Sequence, residues 1–268
     1  MTVDLEPLAR WLRCPRCHEA LTTIGGLVLG CSTGHRFDAN KRGYLSLLGD
    51  SKFNGDTASI LDARARFLDR GHYAPIANAV AQSIPDAAAS LLDSGCGTGY
   101  YLATALRAHP HLSPLALDVS AAAVARTVAA TGAPGLVADV WRPLPVRDAS
   151  ADVLLCIFAP RNPAEFARVL ARTGTLVVVT PAPDHLEQLR ATGAVIGLQP
   201  DKLDRLDESL AGDFCLRSRD ELSYALRLNA TETAHLAGMG PSGHHEGAGA
   251  STGGDVTVSV TLSTFAPR

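Results

Sequence analysis

The sequence predicts an α/β protein: a mostly parallel sheet covered by helices, with a small metal-stapled module ahead of it. Three observations carry this. Beyond Pro85, short apolar runs alternate with Ala-rich helical stretches, the pattern of strands buried between helices. Three successive runs end on an acid, Asp93, Asp118 and Asp139, which puts three carboxylates on one rim of the sheet. Finally, three of the six cysteines, Cys14, Cys17 and Cys31, crowd into the N-terminal segment. The expected organisation is a small module over residues 1–50, a helical connector over 51–85 and the sheet domain over 86–268.

Composition narrows the function classes. The 268 residues are 46% hydrophobic and 19% charged, which suits a buried core and argues against disorder. No apolar run approaches the roughly 18 residues that span a bilayer, so no membrane partner is expected. The acidic start, Met1 to Glu6, lacks the basic flank and apolar stretch of a secretory signal, and a cytoplasmic location follows as the expectation. Net charge is −3. Residues 1–72 nevertheless hold 10 basic and 8 acidic side chains, so what positive bias there is lies in the N-terminal quarter.

Along the chain, residues up to about 50 read as short turns broken by Gly25-Gly26, Gly30 and Gly34, a piece too small to build a core of its own. Thr57 to Leu68 has helical spacing and ends at Gly71, and a second helix is expected from Pro75 to Ser83 with Pro in its first turn. Strands are expected at Ser90–Asp93, Leu115–Asp118, Gly135–Ala138, Asp152–Phe158 and Thr175–Thr180, with a helix from Ala121 to Ala130 capped by Ser120. Asp255 to Ser263 alternates with period two, as a half-covered strand does. Gly238 to Gly254 is rich in Gly, Ser and His and reads as a mobile loop.

Cys14-x-x-Cys17 followed by Cys31-x-x-x-His35 is a metal-ligand pattern. Two pairs from tight turns can converge on one Zn²⁺, which suits three sulfurs and an imidazole. Four protein ligands close the site, so the zinc would be structural. His18 competes for the fourth position but sits beside Cys17, where it would strain the turn. Cys96, Cys156 and Cys215 stand singly among apolar residues and read as small core hydrophobes.

Asp93-Ser94-Gly95-Cys96-Gly97-Thr98-Gly99 follows a strand and opens a helix. Such a turn lets a ligand approach the backbone closely, and its amides favour negative groups. Nicotinamide-binding folds use a similar loop, but here the acids favour S-adenosylmethionine. Asp93 would attract the amino group of a methionine moiety and repel a pyrophosphate. Asp118 is placed for ribose hydroxyls, and Asp139 for an adenine amine. Phe158-Ala159-Pro160-Arg161-Asn162-Pro163 ends the fourth strand on the same rim, as a rigid loop beside the transferred methyl. His185, after the fifth strand, either caps the next helix or faces the cofactor. Gly71-His72-Tyr73 near Arg64 and Arg66 reads either as a grip on phosphate and base or, for Tyr73, as packing between the two domains.

Taken in order, these residues resemble the bacterial 23S rRNA (guanine-N1)-methyltransferases. The likeness runs through Cys14-x-x-Cys17, Cys31-x-x-x-His35-x-Phe37-Asp38, Gly43-Tyr44, Gly55-Asp56, Ala63-Arg64, Phe67-Leu68, Gly71-His72-Tyr73, the Asp93 to Gly99 loop, Leu117-Asp118-Val119-Ser120, Phe158-Ala159-Pro160 and Thr180-Pro181 through His185-Leu186. Ala138-Asp139-Val140-Trp141 and Ala159-Pro160-Arg161-Asn162-Pro163 resemble the branch with macrolide (tylosin-type) resistance enzymes. The resemblance implies a class I Rossmann-like methyltransferase sheet with an N-terminal zinc-binding, RNA-recognising module. It also implies a homodimer that binds an rRNA hairpin, with Tyr73 and His185 against the cofactor. The cofactor set is then Tyr73, Asp93, Gly95, Gly97, Thr98, Gly99, Asp118, Asp139 and His185. Guanine N1 carries a proton near neutral pH; His72 and Asp56 are the candidates to remove it. Arg36, Lys41, Arg42, Lys52, Arg64 and Arg66 are the expected phosphate contacts. Two other readings fit parts of the pattern: a small-molecule methyltransferase with a structural zinc module, and a non-catalytic zinc-dependent RNA-binding protein.

Overall fold

In the computed structural model, residues 3–48, 55–195, 202–240 and 253–268 are described. Within 1–50 the chain forms α1 (Glu6–Trp11) and strands β1 (Thr22–Gly25), β2 (Val28–Gly30), β3 (Arg36–Asp38) and β4 (Tyr44–Ser46). Two connector helices follow, α2 (Ala58–Leu68), capped by the Thr57 side chain, and α3 (Ala74–Gln82) with proline in its first turn. Beyond them lie β5 (Ser90–Ser94), α4 (Tyr100–Ala108), β6 (Ser113–Asp118), α5 (Ala121–Thr131), β7 (Gly135–Val137), β8 (Ala151–Ile157), α6 (Pro163–Val169) and β9 (Leu170–Pro181). The chain continues through α7 (Glu187–Ala191), α8 (Lys202–Leu210), β10 (Phe214–Leu228), α9 (Ala230–Gly238) and β11 (Gly254–Pro267). All five predicted parallel strands and the three predicted helices are present. Most of the expected Gly238 to Gly254 loop lies outside the described residues.

One sheet has the order β10-β11-β9-β8-β5-β6-β7-β4. Its parallel part runs from β9 to β4, and β11 and β10 complete it in antiparallel sense. β5 has β6 on one side and β8 on the other. Strand order reverses there, and the crevice beyond the carboxyl ends of β5 and β8 is where an open α/β sheet takes its ligand.

Burial alternates along the strands, as a two-sided core requires. Leu91, Val153, Leu155, Val177 and Val179 pack with Phe67, Ile76, Val80 and Leu102 on one face. On the other, Leu92, Leu117, Leu136, Leu154 and Val178 pack with Leu8, Trp11, Leu12, Leu21, Leu29 and Leu45. The N-terminal segment, expected to lack a core, therefore borrows one: its leucines form part of the layer over this face of the sheet. Its β4 also adds a parallel edge strand to β7, pairing Tyr44 with Gly135. Arg147 fastens the junction, its guanidinium donating to the carbonyls of Ala9, Leu12 and Leu21 at 2.9–3.1 Å. Leu12 bridges Val146 two residues before the first metal-site cysteine.

Candidate metal centre and cofactor crevice

Cys14, Cys17, Cys31 and His35 converge, their ligand atoms all within 4.8 Å of one another. The separations are Cys14 Sγ to His35 Nδ1 3.4 Å, Cys31 Sγ to His35 Nδ1 3.4 Å and Cys17 Sγ to Cys31 Sγ 3.6 Å. A tetrahedral zinc with bonds of about 2.3 Å to sulfur and about 2.0 Å to nitrogen needs edges of about 3.8 Å between sulfurs and about 3.5 Å from sulfur to nitrogen. The cluster fits that ion.

Each pair sits on a tight turn. The first closes by His18 N–H to Cys14 O at 2.9 Å, with His18 itself in a left-handed conformation (φ 64°) outside the cluster. In the second, Gly34 takes φ 88° and the chain closes by Cys31 N–H to His35 O at 3.1 Å. The Thr33 hydroxyl lies 3.0 Å from Cys17 Sγ and Cys31 Sγ and 3.1 Å from His35 Nδ1. Its hydrogen bond is the largest cause pulling the Cys31 thiol down to about 6, and it lowers Cys17 as well. Burial raises Cys14. Cys31 is therefore poised to be a thiolate, the form that binds metal, and Cys17 is shifted in the same direction.

At the crevice, the loop after β5 makes its turn on three glycines with positive φ, Gly95 (87°), Gly97 (53°) and Gly99 (79°). A Cβ on Gly95 would stand 2.5 Å from that of Ala159, so the loops after β5 and β8 touch where only glycine fits. Thr98 lies half-buried between Gly97 and Gly99. Asp118 accepts from Gly97 N–H at 3.0 Å and Ser120 N–H at 2.9 Å. These bonds tie the end of β6 to the glycine loop. Burial raises its carboxyl nonetheless.

Asp93 is 3% exposed. Burial, and then the neighbouring Asp118 charge, push its carboxyl up to about 7. Asp139 lies two residues past the end of β7, where it accepts from Trp141 N–H at 3.0 Å and lies 3.5 Å from Arg142 Nε.

Tyr73 and His185 are both buried and meet at 3.4 Å between Tyr73 Oη and His185 Nε2. Ser259 N–H donates to His185 Nδ1 at 3.2 Å. A backbone N–H can only donate, so Nδ1 must accept and the proton sits on Nε2, which donates to Tyr73. Burial also drives the His185 imidazole down to about 4. This ring is neutral across the physiological range.

Several of the remaining candidate residues have partners of their own. Arg64, read as a phosphate contact, is ion-paired to Asp56, donates to Met239 O at 2.7 Å and lies over Gly97. It braces the glycine loop. Asp56 is thereby engaged, and its carbonyl accepts from the Ser120 hydroxyl at 2.9 Å. His72 packs on Phe67 and has Nε2 3.2 Å from Glu232 Oε1, an ion-pair distance without hydrogen-bond alignment. His72 and Tyr73 both lie against the Phe67 ring, and the Asp56 charge acts on the Asp118 carboxyl. Arg36, Lys41, Arg42 and Arg66 are exposed, and Lys52 lies outside the described residues. Tyr101, whose ring lies 6.4 Å from that of Phe158, was not legible as a site residue. Only its place in the first turn of the helix after the glycine loop could have suggested it.

In comparison with known proteins, the metal cluster and the glycine loop fall in two separate family matches. A zinc-ribbon family described as "RlmA, N-terminal" matches residues 12–50, and a family described as "Methyltransferase domain" matches residues 91–177. The chain is 39% identical over 246 residues to the 23S rRNA (guanine(748)-N(1))-methyltransferase of Streptomyces fradiae, covering 89% of this chain and 88% of that one. It is 38% identical over 267 residues to a 23S rRNA (guanine-N(1)-)-methyltransferase of Micromonospora griseorubida, covering 91% and 90%. Among solved structures, the complex between the Trm112 methyltransferase activator and a methyltransferase of Haloferax volcanii aligns with a TM-score of 0.53 at 17% identity, over 80% of this chain and 99% of that one. That last likeness concerns the fold. No helix among the described residues is long and apolar enough to cross a membrane.

Proposed function

Because this chain belongs to the family of 23S rRNA (guanine-N1)-methyltransferases, we propose that it transfers a methyl group from S-adenosylmethionine to N1 of a guanine in a 23S rRNA hairpin. One observation carries the reading: the zinc ribbon and the acid-flanked glycine loop occur in a single chain alongside about 90% coverage of such relatives. The zinc-binding module serves recognition of the hairpin through its exposed Arg36, Lys41 and Arg42, joined by Arg66 of the connector helix. The protein acts in the cytoplasm as a homodimer, and the modification lowers macrolide susceptibility.

The cofactor supplies a methyl on a sulfonium, and in-line displacement asks of the protein chiefly alignment. Transfer would cost the bound cofactor its carbon–sulfur bond and the acceptor its N1 proton. The acceptor base must come out of its pair, because N1 lies on the pairing edge. Asp93 holds the methionine ammonium, which restores its anion. Asp118 keeps lone pairs free on both oxygens for the ribose hydroxyls, while its present bonds fix the loop. The backbone of Gly95, Gly97, Thr98 and Gly99 lines the approach, and Asp139 receives the adenine amine. Tyr73, whose oxygen accepts from His185, has its own proton free to donate toward the methionine end. Asp56 is paired to Arg64 and His72 faces Glu232, and these two remain the candidates to take the N1 proton.

The test is methylation of a 23S rRNA hairpin fragment carrying guanine, inosine or adenine at the target. Guanine and inosine share the protonated N1 and should react, whereas adenine offers a bare N1 and a different edge and should not. Equal rates on adenine and guanine would refute the assignment. Activity on small molecules without RNA would favour the small-molecule alternative.

A further inference from the structure

Phe158 has two features that folding does not require. Its side chain is 40% exposed, unlike the strand residues before it. Its backbone is left-handed, with φ 54°, a conformation that bulky residues rarely adopt and that gathers at functional sites. The amide of Phe158 still donates to Val179 O at 3.1 Å, so β8 stays paired up to this point and the reversal falls on Phe158 itself. Ala159, next in the chain, is the residue that packs where a Gly95 side chain would stand. The phenyl group is therefore held beside the glycine loop. The rings of Tyr73, Tyr101 and His185 have centroids 6.4, 6.4 and 6.3 Å away, and together they leave part of the ring open.

We propose that Phe158 is the platform on which the acceptor guanine stacks, fixing the plane of the base so that N1 faces the methyl donor. The assignment rests on the proposed activity on a guanine of RNA. The occupant follows from the chemistry of the patch. His185 is neutral, Tyr73 is a buried phenol, and the phenyl group is apolar, so the ring surfaces themselves carry no charge, with Asp184, Arg190 and Lys202 acting on His185 from outside this ring cluster. A flat, uncharged heterocycle matches those surfaces. A base taken out of a helix loses its stacking partners, and an exposed aromatic ring replaces one of them.

The experiment compares the zinc-loaded full-length protein with Phe158→Leu and Phe158→Tyr in methylation of the hairpin fragment, with S-adenosylmethionine affinity measured by calorimetry. Phe158→Leu should lose about ten- to a hundred-fold in kcat/KM for RNA, the range of one base–ring stack. Its cofactor Kd should stay within about twofold, and Phe158→Tyr should keep most of the activity. Full activity in Phe158→Leu would overturn the proposal. A parallel fall in cofactor affinity would also overturn it, making the ring a cofactor wall, as would equal losses in the Leu and Tyr variants. A wild-type protein inactive on the hairpin would remove the activity reading and this assignment with it. A loss confined to Phe158→Leu beside an active wild type bears on Phe158 alone.

Discussion

Asp93→Asn should stabilise the cofactor-free protein above neutral pH and weaken its hold on S-adenosylmethionine. The carboxyl is raised from 3.8 to about 7 by burial and by Asp118. Between those values the folded protein holds a proton that the unfolded chain has released, so stability falls as pH rises through that window. By pH 8 the full cost is present. Three units at about 1.4 kcal/mol each give about 4 kcal/mol as the upper bound for its relief. Asn has the same shape without the charge, although its amide must also be desolvated, so the gain lies below that bound. At about 2 to 4 °C per kcal/mol for a chain of this size, the melting temperature of the variant should exceed wild type by several degrees at pH 8. The two should converge near pH 4. Saturating cofactor should reverse the order, because the ligand ammonium restores a counter-charge only in wild type. Wild-type affinity should fall as pH drops below about 7, and the affinity of the variant should be weak and flat. Thermal melts at pH 4 and 8, with and without cofactor, read all of this. An Asn variant that binds the cofactor as tightly as wild type would refute the placement of the methionine amine. Parallel pH profiles for the two proteins would refute the buried charge.

Metal analysis should find one zinc per chain. Cys31→Ser should lose it and loosen the Cys14 to His35 turns, while α1 and β4 stay docked on the sheet, which limited proteolysis will show. Gly95→Ala should abolish cofactor binding in calorimetry, since the new Cβ would stand 2.5 Å from Ala159 and φ 87° strains any side chain. Arg147→Met leaves three carbonyls without their cationic donor. Ala9 O and Leu12 O each keep a backbone N–H donor, from Leu12 and Leu21, so at about 1 to 3 kcal/mol for an unsatisfied buried group denaturant melts should lose about 1 to 3 kcal/mol, with the N-terminal module released first.

The parallel strands were legible because burial on both faces makes them short continuous apolar runs, as in Val153-Leu154-Leu155 and Val177-Val178-Val179. The rim acids and glycines could be read because each follows such a run. β10 was missed: its inward Leu222, Tyr224 and Leu226 alternate with exposed Glu221, Ser223, Ala225 and Arg227, and an outer strand with polar flanks carries little apolar signal. α1 is only six residues, too short for a helical period to register. The docking of β4 and the Arg147 clamp depend on contacts more than 80 residues apart in sequence, which no local pattern encodes. Arg64 shows the same limit. A basic residue near a recognition element looks like a phosphate contact until Asp56 and Met239 are seen around it.

The most direct test of the central claim is primer extension and mass mapping of 23S rRNA from cells with and without the gene. A methyl on guanine N1 blocks the pairing edge, so reverse transcription should stop at one hairpin guanine only when the gene is present. The fragment holding that guanine should gain one methyl group, and macrolide susceptibility should fall with it. Identical stops and identical masses in the two strains would contradict the account.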